Sequence, residues 1–277
     1  MNGRNHYRPL TFFVVAFLVS WAPWGVAAAI AKTPGAATLA PLLNLAGLIG
    51  PPAATVLMIA GPGGRALRAD FLDRLVNLRR IQPTTLPVAV ALPFAITGLA
   101  IVLSLWFGQP ADQFRAAAGS GALAVILLTM LLAPVMEETG WHGYGVDSLR
   151  AYSGVLRSTL VFGVLWSVWH APLVFIEGTY QHQLAAMPNP VFLLNFFVSV
   201  IPAAVIANWF YYKNDRSVAA AIFVHAMLNA SAVLLSTGQV AKCIATLLYI
   251  AVAATIVLID RATFTAGPRD LVHGLRD

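Results

Sequence analysis

The chain has 277 residues, of which 59% are hydrophobic and only 10% are charged, whereas soluble domains carry about 25% charged residues. The apolar residues occur in long uninterrupted runs, which indicates membrane-spanning helices and excludes an ordinary soluble domain. The net charge of +6 does not indicate a nucleic-acid partner, because the basic residues cluster between apolar runs, as in cytoplasmic loops. The expected surroundings are a lipid bilayer. Cys243 is the only cysteine, so we expect neither an internal disulfide nor a cysteine-based metal site.

Eight apolar runs approach the length of about 20 residues that a spanning helix needs. We interpret the first run as an uncleaved helix, because the apolar region of a signal peptide covers only about 7–15 residues. Pro51-Pro52 predicts a kink in the second run. The predicted fold is an all-α, polytopic transmembrane bundle of about eight helices in a single integral-membrane domain, 1–277. The runs are 10–31, 37–60, 85–107, 119–136, 158–176, 191–212, 217–236 and 240–259.

The distribution of basic residues predicts the orientation of the chain. All Lys and Arg residues except Lys32, Arg115 and Lys242 fall in segments that the eight-helix count makes cytoplasmic. Both termini are therefore predicted to be cytoplasmic. The short loops and compact length favour a multi-pass protein of a prokaryotic plasma membrane.

Two connections between the runs give further predictions. The connection from Arg65 to Arg80 has apolar residues at helical spacing, which predicts an amphipathic helix lying on the inner membrane surface. The turn around Arg216 reads as a short solvated segment. The predicted apolar face of the amphipathic helix consists of Leu67, Phe71, Leu72, Leu75 and Leu78.

Two adjacent carboxylates end the fourth run, in APVMEETGWHGYG. Ionisable groups inside a membrane are costly, so they indicate a functional site. Adjacent helical residues lie about 100° apart, so Glu137 and Glu138 face different partners. His142 lies four residues after Glu138, on the same face, which predicts a Glu138–His142 pair and leaves Glu137 as the freer group. The alternative is that both glutamates are solvated charges in the headgroup region. Burial would raise the affinity of Glu137 for a proton, as a general base requires.

Three further polar residues lie in the later runs. Trp166 and His170 share a helical face in WSVWHAP, and the following Ala-Pro predicts that the helix ends just after His170. His225 and Asn229, in HAMLN, also share a face. As a pair they can donate two hydrogen bonds to a developing oxyanion, although a lone histidine is more often a buried hydrogen bonder and a lone asparagine can simply join helices. Asn208 is expected to be such an interhelical residue.

The sequences EETGWHG, WSVWH and HAMLN, in this order, resemble the CPBP family of intramembrane proteases. This family includes the type 2 CAAX prenyl proteases and bacteriocin-processing (Abi) proteins. The specific resemblance covers about 130–235, the expected catalytic core. The sequence differs from the family pattern at His142, where the family has arginine. Trp166 occupies the position at which the family often has phenylalanine.

The resemblance implies an intramembrane endopeptidase with a peptide or membrane-protein substrate. It implies that Glu137 activates water with the help of His170, and that His225 and Asn229 hold the oxyanion. Glu138 is implied to support the site, as are His142 and Trp166.

Other functions stay open at this stage. Glu137, His170 and His225 could form a zinc site with an open position, but no HExxH motif occurs, and the resemblance favours chemistry without a metal or other cofactor. The same three residues could form the proton relay of a proton-coupled transporter. An inactive scaffold or immunity protein of the same fold is a third hypothesis, because of His142.

Overall fold

The computed structural model describes residues 7–31, 33, 39–61, 64–116 and 120–268. Within these residues the regular secondary structure is helical, apart from one isolated bridge between Ala116 and Leu235. The predicted all-α class is therefore confirmed. The helices are α1 (Pro9–Ile30), α2 (Leu39–Gly47), α3 (Gly50–Ala60), α4 (Arg65–Val76), α5 (Thr85–Leu105), α6 (Ser120–Gly140), α7 (Val146–Arg150), α8 (Val155–Trp169), α9 (Tyr180–Ala185), α10 (Val191–Lys213), α11 (Val218–Val233), α12 (Gln239–Ile259) and α13 (Arg261–Phe264).

Among the described residues, five helical segments are long and apolar enough to cross a membrane, and the pair α2–α3 would make a sixth. Helix α11 is apolar but has only 16 residues. The count of about eight spans stays a prediction. So does the orientation of the termini, because residues 1–6 and 269–277 lie outside the described part of the chain. The five segments are Pro9–Ile30, Thr85–Leu105, Val155–Phe175, Val191–Lys213 and Gln239–Ile259.

The second apolar run is bent, as the prolines predict. Helices α2 and α3 meet at an angle of 43°. Pro51 and Pro52 lie in the first turn of α3, where the missing proline N–H leaves no intrahelical hydrogen bond unmade. A new helix therefore starts at the bend without losing stability to the prolines.

The fourth run continues well past the two glutamates. A π-helical turn, Trp141–Gly145, joins α6 to α7 without a break. Gly140 closes α6 against α3, and a Cβ at position 140 would lie 2.1 Å from the Cβ of Pro51. Only glycine allows the two helices to approach so closely.

The helix that carries His170 ends where the sequence predicts. Helix α8 ends at Trp169, His170 is its C-cap residue, and a 3₁₀ turn follows over Ala171–Phe175. Pro172 cannot continue the helical hydrogen bonding. The imidazole therefore projects from the end of a helix into the interior of the bundle, where it contacts aromatic rings.

The predicted surface helix is present as α4, but its buried face differs from the prediction. Leu67 is buried and Phe71 packs against the core, whereas Leu72 is 55% exposed. Arg74, which is not part of the predicted apolar face, is only 2% exposed. The interpretation of this helix as a purely amphipathic surface element was wrong, because its inner side carries a charge as well as apolar groups.

Candidate active site

Glu138 is held by two imidazoles. Its side chain is fully buried in α6. The Nδ1 atom of His225 on α11 lies 2.7 Å from one carboxylate oxygen, and Nδ1 of His142 hydrogen-bonds the other. The predicted Glu138–His142 pair is confirmed, and His225 joins it from a separate helix. This carboxylate therefore orients two rings and is itself shielded from substrate.

His142 connects this pair to two more helices. Its Nε2 lies 2.7 Å from Oδ1 of Asn208 on α10, and the Asn208 amide nitrogen donates to the Thr159 hydroxyl at 2.8 Å. Asn208 is therefore an interhelical hydrogen bonder, as predicted. Both ring nitrogens of His142 lie within hydrogen-bonding distance of side-chain oxygens, one on α6 and one on α10.

Glu137 has a different partner from its neighbour, as the helical geometry predicts. The indole Nε1 of Trp166 on α8 donates to Glu137 Oε2 at 2.7 Å. Glu137 is 5% exposed and Trp166 is 4% exposed. The alternative, that both glutamates are solvated charges in the headgroup region, is excluded by this burial.

The same tryptophan also orients His170. The Nδ1 atom of His170 donates to the backbone carbonyl of Trp166 at 2.8 Å. A ring whose Nδ1 carries the proton has its lone pair on Nε2 when it is neutral. Trp166 therefore contacts Glu137 through its indole and His170 through its carbonyl, and it leaves His170 Nε2 as the basic atom.

A cavity of about 290 Å³ lies beside these groups, and His170, His225 and Asn229 are among the residues that line it. The Trp166 ring lines it as well and meets the His225 ring at a centroid distance of 5.0 Å. Glu137 is not among the residues that line the cavity, but it accepts a hydrogen bond from Trp166, which is. The structure thus places predicted side chains of α8 and α11 around one cavity and hydrogen-bonds the two glutamates of α6 to Trp166 and His225 in its wall.

Sequence reasoning missed a second group of buried charges, which supports the π-helical turn. The Arg74 guanidinium donates to the backbone carbonyls of His142 and Gly143, both at 2.8 Å. A π-helical turn does not satisfy its carbonyls in the α-helical pattern, so an external donor stabilises it. Arg74 in this way fixes the backbone that carries His142.

Arg216, predicted to lie in a solvated turn, belongs to the same group. Its Nη2 lies 2.5 Å from Asp147 and 2.9 Å from Asp70, and its side chain is only 15% exposed. The prediction was wrong because its partners lie about 70 or more positions away in the chain. We call Asp70, Arg74, Asp147 and Arg216 the charged cluster.

The charged cluster controls the ionisation of Asp147. Burial raises the pKa of this carboxyl, but the guanidinium groups of Arg216 and Arg74 lower it by more, so the net pKa lies below the ordinary aspartate value. Asp147 therefore stays ionised and holds α7 to both arginines. No signal in the sequence identified these partners, because Asp70, Arg74 and Arg216 lie in charged segments typical of a solvated surface.

Glu137, His170 and His225 are not grouped as metal ligands in this arrangement, and the zinc site stays a hypothesis. Among the described residues, no group of three or more His, Cys, Asp or Glu side chains is placed to hold a metal. Glu137 accepts from Trp166, and the Nδ1 atoms of His170 and His225 are engaged by protein oxygens. No step of the chemistry below passes through a metal.

The fold and the site define a multi-pass membrane protein whose helices bury two glutamates beside three histidines. Two comparisons with known proteins agree on what this combination represents. Residues 119–231 match the family described as type II CAAX prenyl endopeptidase, Rce1-like. The chain is also 34% identical over 267 residues to CAAX prenyl protease 2 of the archaeon Methanococcus maripaludis, covering 95% of this chain and 98% of the archaeal protein.

The chain belongs to the Rce1-like CAAX prenyl endopeptidase family. This confirms the resemblance seen in the three motifs, and membership supports a protease function. The matched range, 119–231, contains all seven candidate site residues. The family also agrees with the apolar helices in assigning the chain to the multi-pass membrane proteins.

Proposed function

We propose that the chain is an intramembrane endopeptidase, similar to CAAX proteases, that cleaves a peptide or a membrane-protein segment with activated water. One observation carries this proposal most directly. Trp166 bonds the buried carboxylate of Glu137 and the backbone-anchored ring of His170 at the same time. A carboxylate and a basic imidazole nitrogen held by the same tryptophan are groups that can take a proton from water.

In the proposed reaction, water lies between Glu137 and His170. Glu137 takes a proton from it, with His170 Nε2 as the second acceptor, and the hydroxide attacks the peptide carbonyl. The Trp166 donor keeps the Glu137 carboxylate in one orientation. The amine that leaves then receives a proton from Glu137 or His170, so the reaction needs no covalent enzyme intermediate.

The proposed oxyanion donors are His225 and Asn229. Glu138 accepts from Nδ1 of His225 and stabilises the imidazolium form of this ring, whose Nε2–H can then donate to substrate. Asn229 lies one turn later on α11 and lines the same cavity as His225. Two donors on one helical face suit a tetrahedral oxyanion, whose charge they stabilise more than that of the ground-state carbonyl.

The decisive experiment compares two glutamate variants of the purified protein in detergent, with a set of peptides as substrates. Glu137→Gln keeps the shape but removes the base, and we expect cleavage to fall by about 100- to 10,000-fold. Glu177→Gln is the matched control, because Glu177 is exposed in a loop, and it should cleave like the wild type. Undiminished cleavage by Glu137→Gln, in a variant that unfolds at the wild-type temperature, would remove the proposed base.

Two further arms separate the alternatives. A chelator added to the wild type should leave cleavage unchanged, and loss of activity that zinc restores would contradict the mechanism. Proton-coupled uptake by protein-containing liposomes, without peptide cleavage, would favour a transporter. Absence of both activities would favour an inactive scaffold.

A further inference from the structure

A second concavity lies on the outer surface of the bundle, away from the candidate active site. Helices α8, α10 and α12 form its walls, its volume is about 380 Å³, and every residue that lines it is apolar. It shares no lining residue with the cavity beside His170. Its rim faces outward, since Leu160 on α8 and Leu258 on α12 are exposed. We call this concavity the outer groove.

Small side chains on α12 make room for the groove. Ala253 and Ala254 line it between Ile250 and Val257, so the middle of this wall carries no long side chain. On the opposite side, α8 and α10 pack closely, because a Cβ added at Gly163 would lie only 3.2 Å from the Cβ of Ala204. The groove is therefore a fixed feature of the packing of three helices.

The length of the outer groove corresponds to one leaflet of a bilayer. Along α12 it extends from Ile250 to Leu258, and this part of an α-helix advances about 12 Å. The hydrocarbon core of a bilayer is about 30 Å thick, so each leaflet supplies about 15 Å. The groove thus has the depth of an acyl chain from one leaflet and is too short for a spanning helix.

Two exposed arginines lie at one end of the groove. Arg157 is in the first turn of α8, and Arg261 begins α13 directly after the end of α12. These two helix ends are neighbours, because the Val155 N–H donates to the Ala266 carbonyl at 3.1 Å. The distribution of basic residues predicts that this end of the bundle is cytoplasmic. The arginines are therefore expected at the depth of the inner-leaflet headgroups.

The charge of these arginines is not neutralised by the protein. None of the ion pairs between described residues includes Arg157 or Arg261. Asp260 precedes Arg261 in the chain, but it pairs with Lys213 at 2.7 Å and accepts from the Trp209 indole at 2.9 Å. The outer groove therefore combines an apolar wall with positive charge at its end, which is complementary to an anionic lipid.

We propose that the outer groove binds an anionic glycerophospholipid of the inner leaflet, with an acyl chain along α12 and the phosphate at Arg157 and Arg261. Guanidinium groups bind phosphate through charge-assisted, often bidentate hydrogen bonds. Basic sites between helices at a cytoplasmic surface bind anionic headgroups in this way. A lipid bound there contacts three helices at once and stabilises their packing. This site does not depend on the proposed hydrolysis.

The test measures lipid binding by native mass spectrometry of the purified protein in detergent. Phosphatidylglycerol and phosphatidylcholine with the same acyl chains are titrated separately. Each arginine near an anionic headgroup strengthens its binding by about five-fold, so we expect phosphatidylglycerol to bind about ten- to thirty-fold more tightly. The double variant Arg157→Gln with Arg261→Gln should lose this preference, and Arg157→Lys with Arg261→Lys should keep most of it.

The matched control is Arg68→Gln with Arg79→Gln. It removes the same charge from two exposed positions in and after α4, neither of which lines the groove. We expect this variant to keep the preference for phosphatidylglycerol. Equal affinity of the wild type for both lipids would overturn the proposal. An equal loss of preference in both double glutamine variants would also overturn it, since the attraction would then come from net charge and not from a site.

Two further measurements examine the groove itself. Ala254→Phe places a ring in it and should weaken the binding of both lipids by about ten-fold, because the ring displaces two or more methylene groups. Unchanged affinity in this variant would show that the acyl chain lies elsewhere. Phosphatidylglycerol should also raise the unfolding temperature of the wild type more than that of Arg157→Gln with Arg261→Gln. Equal increases in the two proteins would contradict the proposed site.

Discussion

Two groups of buried charges lie near the π-helical turn, and they differ in the partners that their charged side chains have. In the charged cluster, each charge lies against an opposite charge of the protein, as Arg216 does against Asp70 and Asp147. In the candidate active site, Glu137 hydrogen-bonds the indole of Trp166 and Glu138 hydrogen-bonds the imidazoles of His142 and His225. Two of these rings, those of Trp166 and His225, border a cavity. Ion pairs between protein charges hold helices together. A carboxylate that is hydrogen-bonded to an imidazole instead leaves the second ring nitrogen able to exchange protons.

The largest effect should come from breaking the charged cluster. Asp147→Asn leaves Arg74 and Arg216 buried with one counter-ion fewer, and we expect the free energy of unfolding to fall by about 3–5 kcal/mol. Denaturant or thermal unfolding in detergent measures this change. Asp215→Asn is the control, because the Asp215 side chain is 74% exposed in its pair with Arg80 and such pairs contribute little. Equal destabilisation by both variants would contradict the structural role of the cluster.

The next effect should appear in catalysis without a change in stability. Removing the proposed oxyanion donor in Asn229→Ala should lower kcat by about 100- to 1,000-fold, while the unfolding temperature stays near that of the wild type. Asn189→Ala, at an exposed loop position, should be fully active. Turnover by Asn229→Ala at the wild-type rate would show that Asn229 does not stabilise the oxyanion.

A smaller loss is expected when Trp166 keeps its ring but loses its donor. Trp166→Phe removes the hydrogen bond to Glu137, and we expect activity to fall by about ten- to one-hundred-fold. Trp209→Phe removes a comparable indole bond, to Asp260 at 2.9 Å, outside the site, and should be active. An unchanged rate in Trp166→Phe would mean that the ring alone suffices, as the phenylalanine common in the family suggests.

The smallest expected effect is a dependence of the free energy of unfolding on pH that comes from Asp147 in the charged cluster. Because the folded pKa of Asp147 lies below its unfolded value, the stability that it contributes is fully present above the ordinary aspartate pKa of about 3.9. This contribution is lost as the pH falls further through the folded pKa. Unfolding measured from pH 6 downward should show this loss in the wild type. The Asp147→Asn variant should lack that part of the acid dependence, and identical pH profiles would refute the assignment.

Much of the candidate active site is predictable from the sequence, because its polar residues interrupt apolar runs. His170 and His225 stand out for this reason, and helical spacing alone pairs Glu138 with His142. Pro52 and Pro172 likewise mark the bend in the second run and the end of α8 in the places where the structure has them. These features depend on local geometry, which a sequence displays directly.

The charged cluster could not be predicted in the same way. Arg74 occurs in a helix whose residue pattern is that of any surface helix, and its partners are backbone carbonyls of a distant π-helical turn. No sequence pattern shows that this turn is π-helical or that Arg74 lies beside it. Arg216 looked solvated because its acidic neighbours in space are remote in the chain. Lys242 was noticed only as an exception to the charge distribution, and its place in the cavity wall depends on the packing of α12.

The close approach of Gly140 to Pro51 predicts that substitutions at these two positions are correlated among related sequences. Any side chain at 140 would act as a wedge that pushes α3 away from α6. Glu137 lies one turn earlier on the same helix, so a tilt of α6 would carry its carboxylate away from Trp166. We therefore expect a larger residue at position 140 only where the residue at position 51 has changed as well. Among related sequences, a residue larger than glycine at 140 should be accompanied by a replacement of the proline at 51.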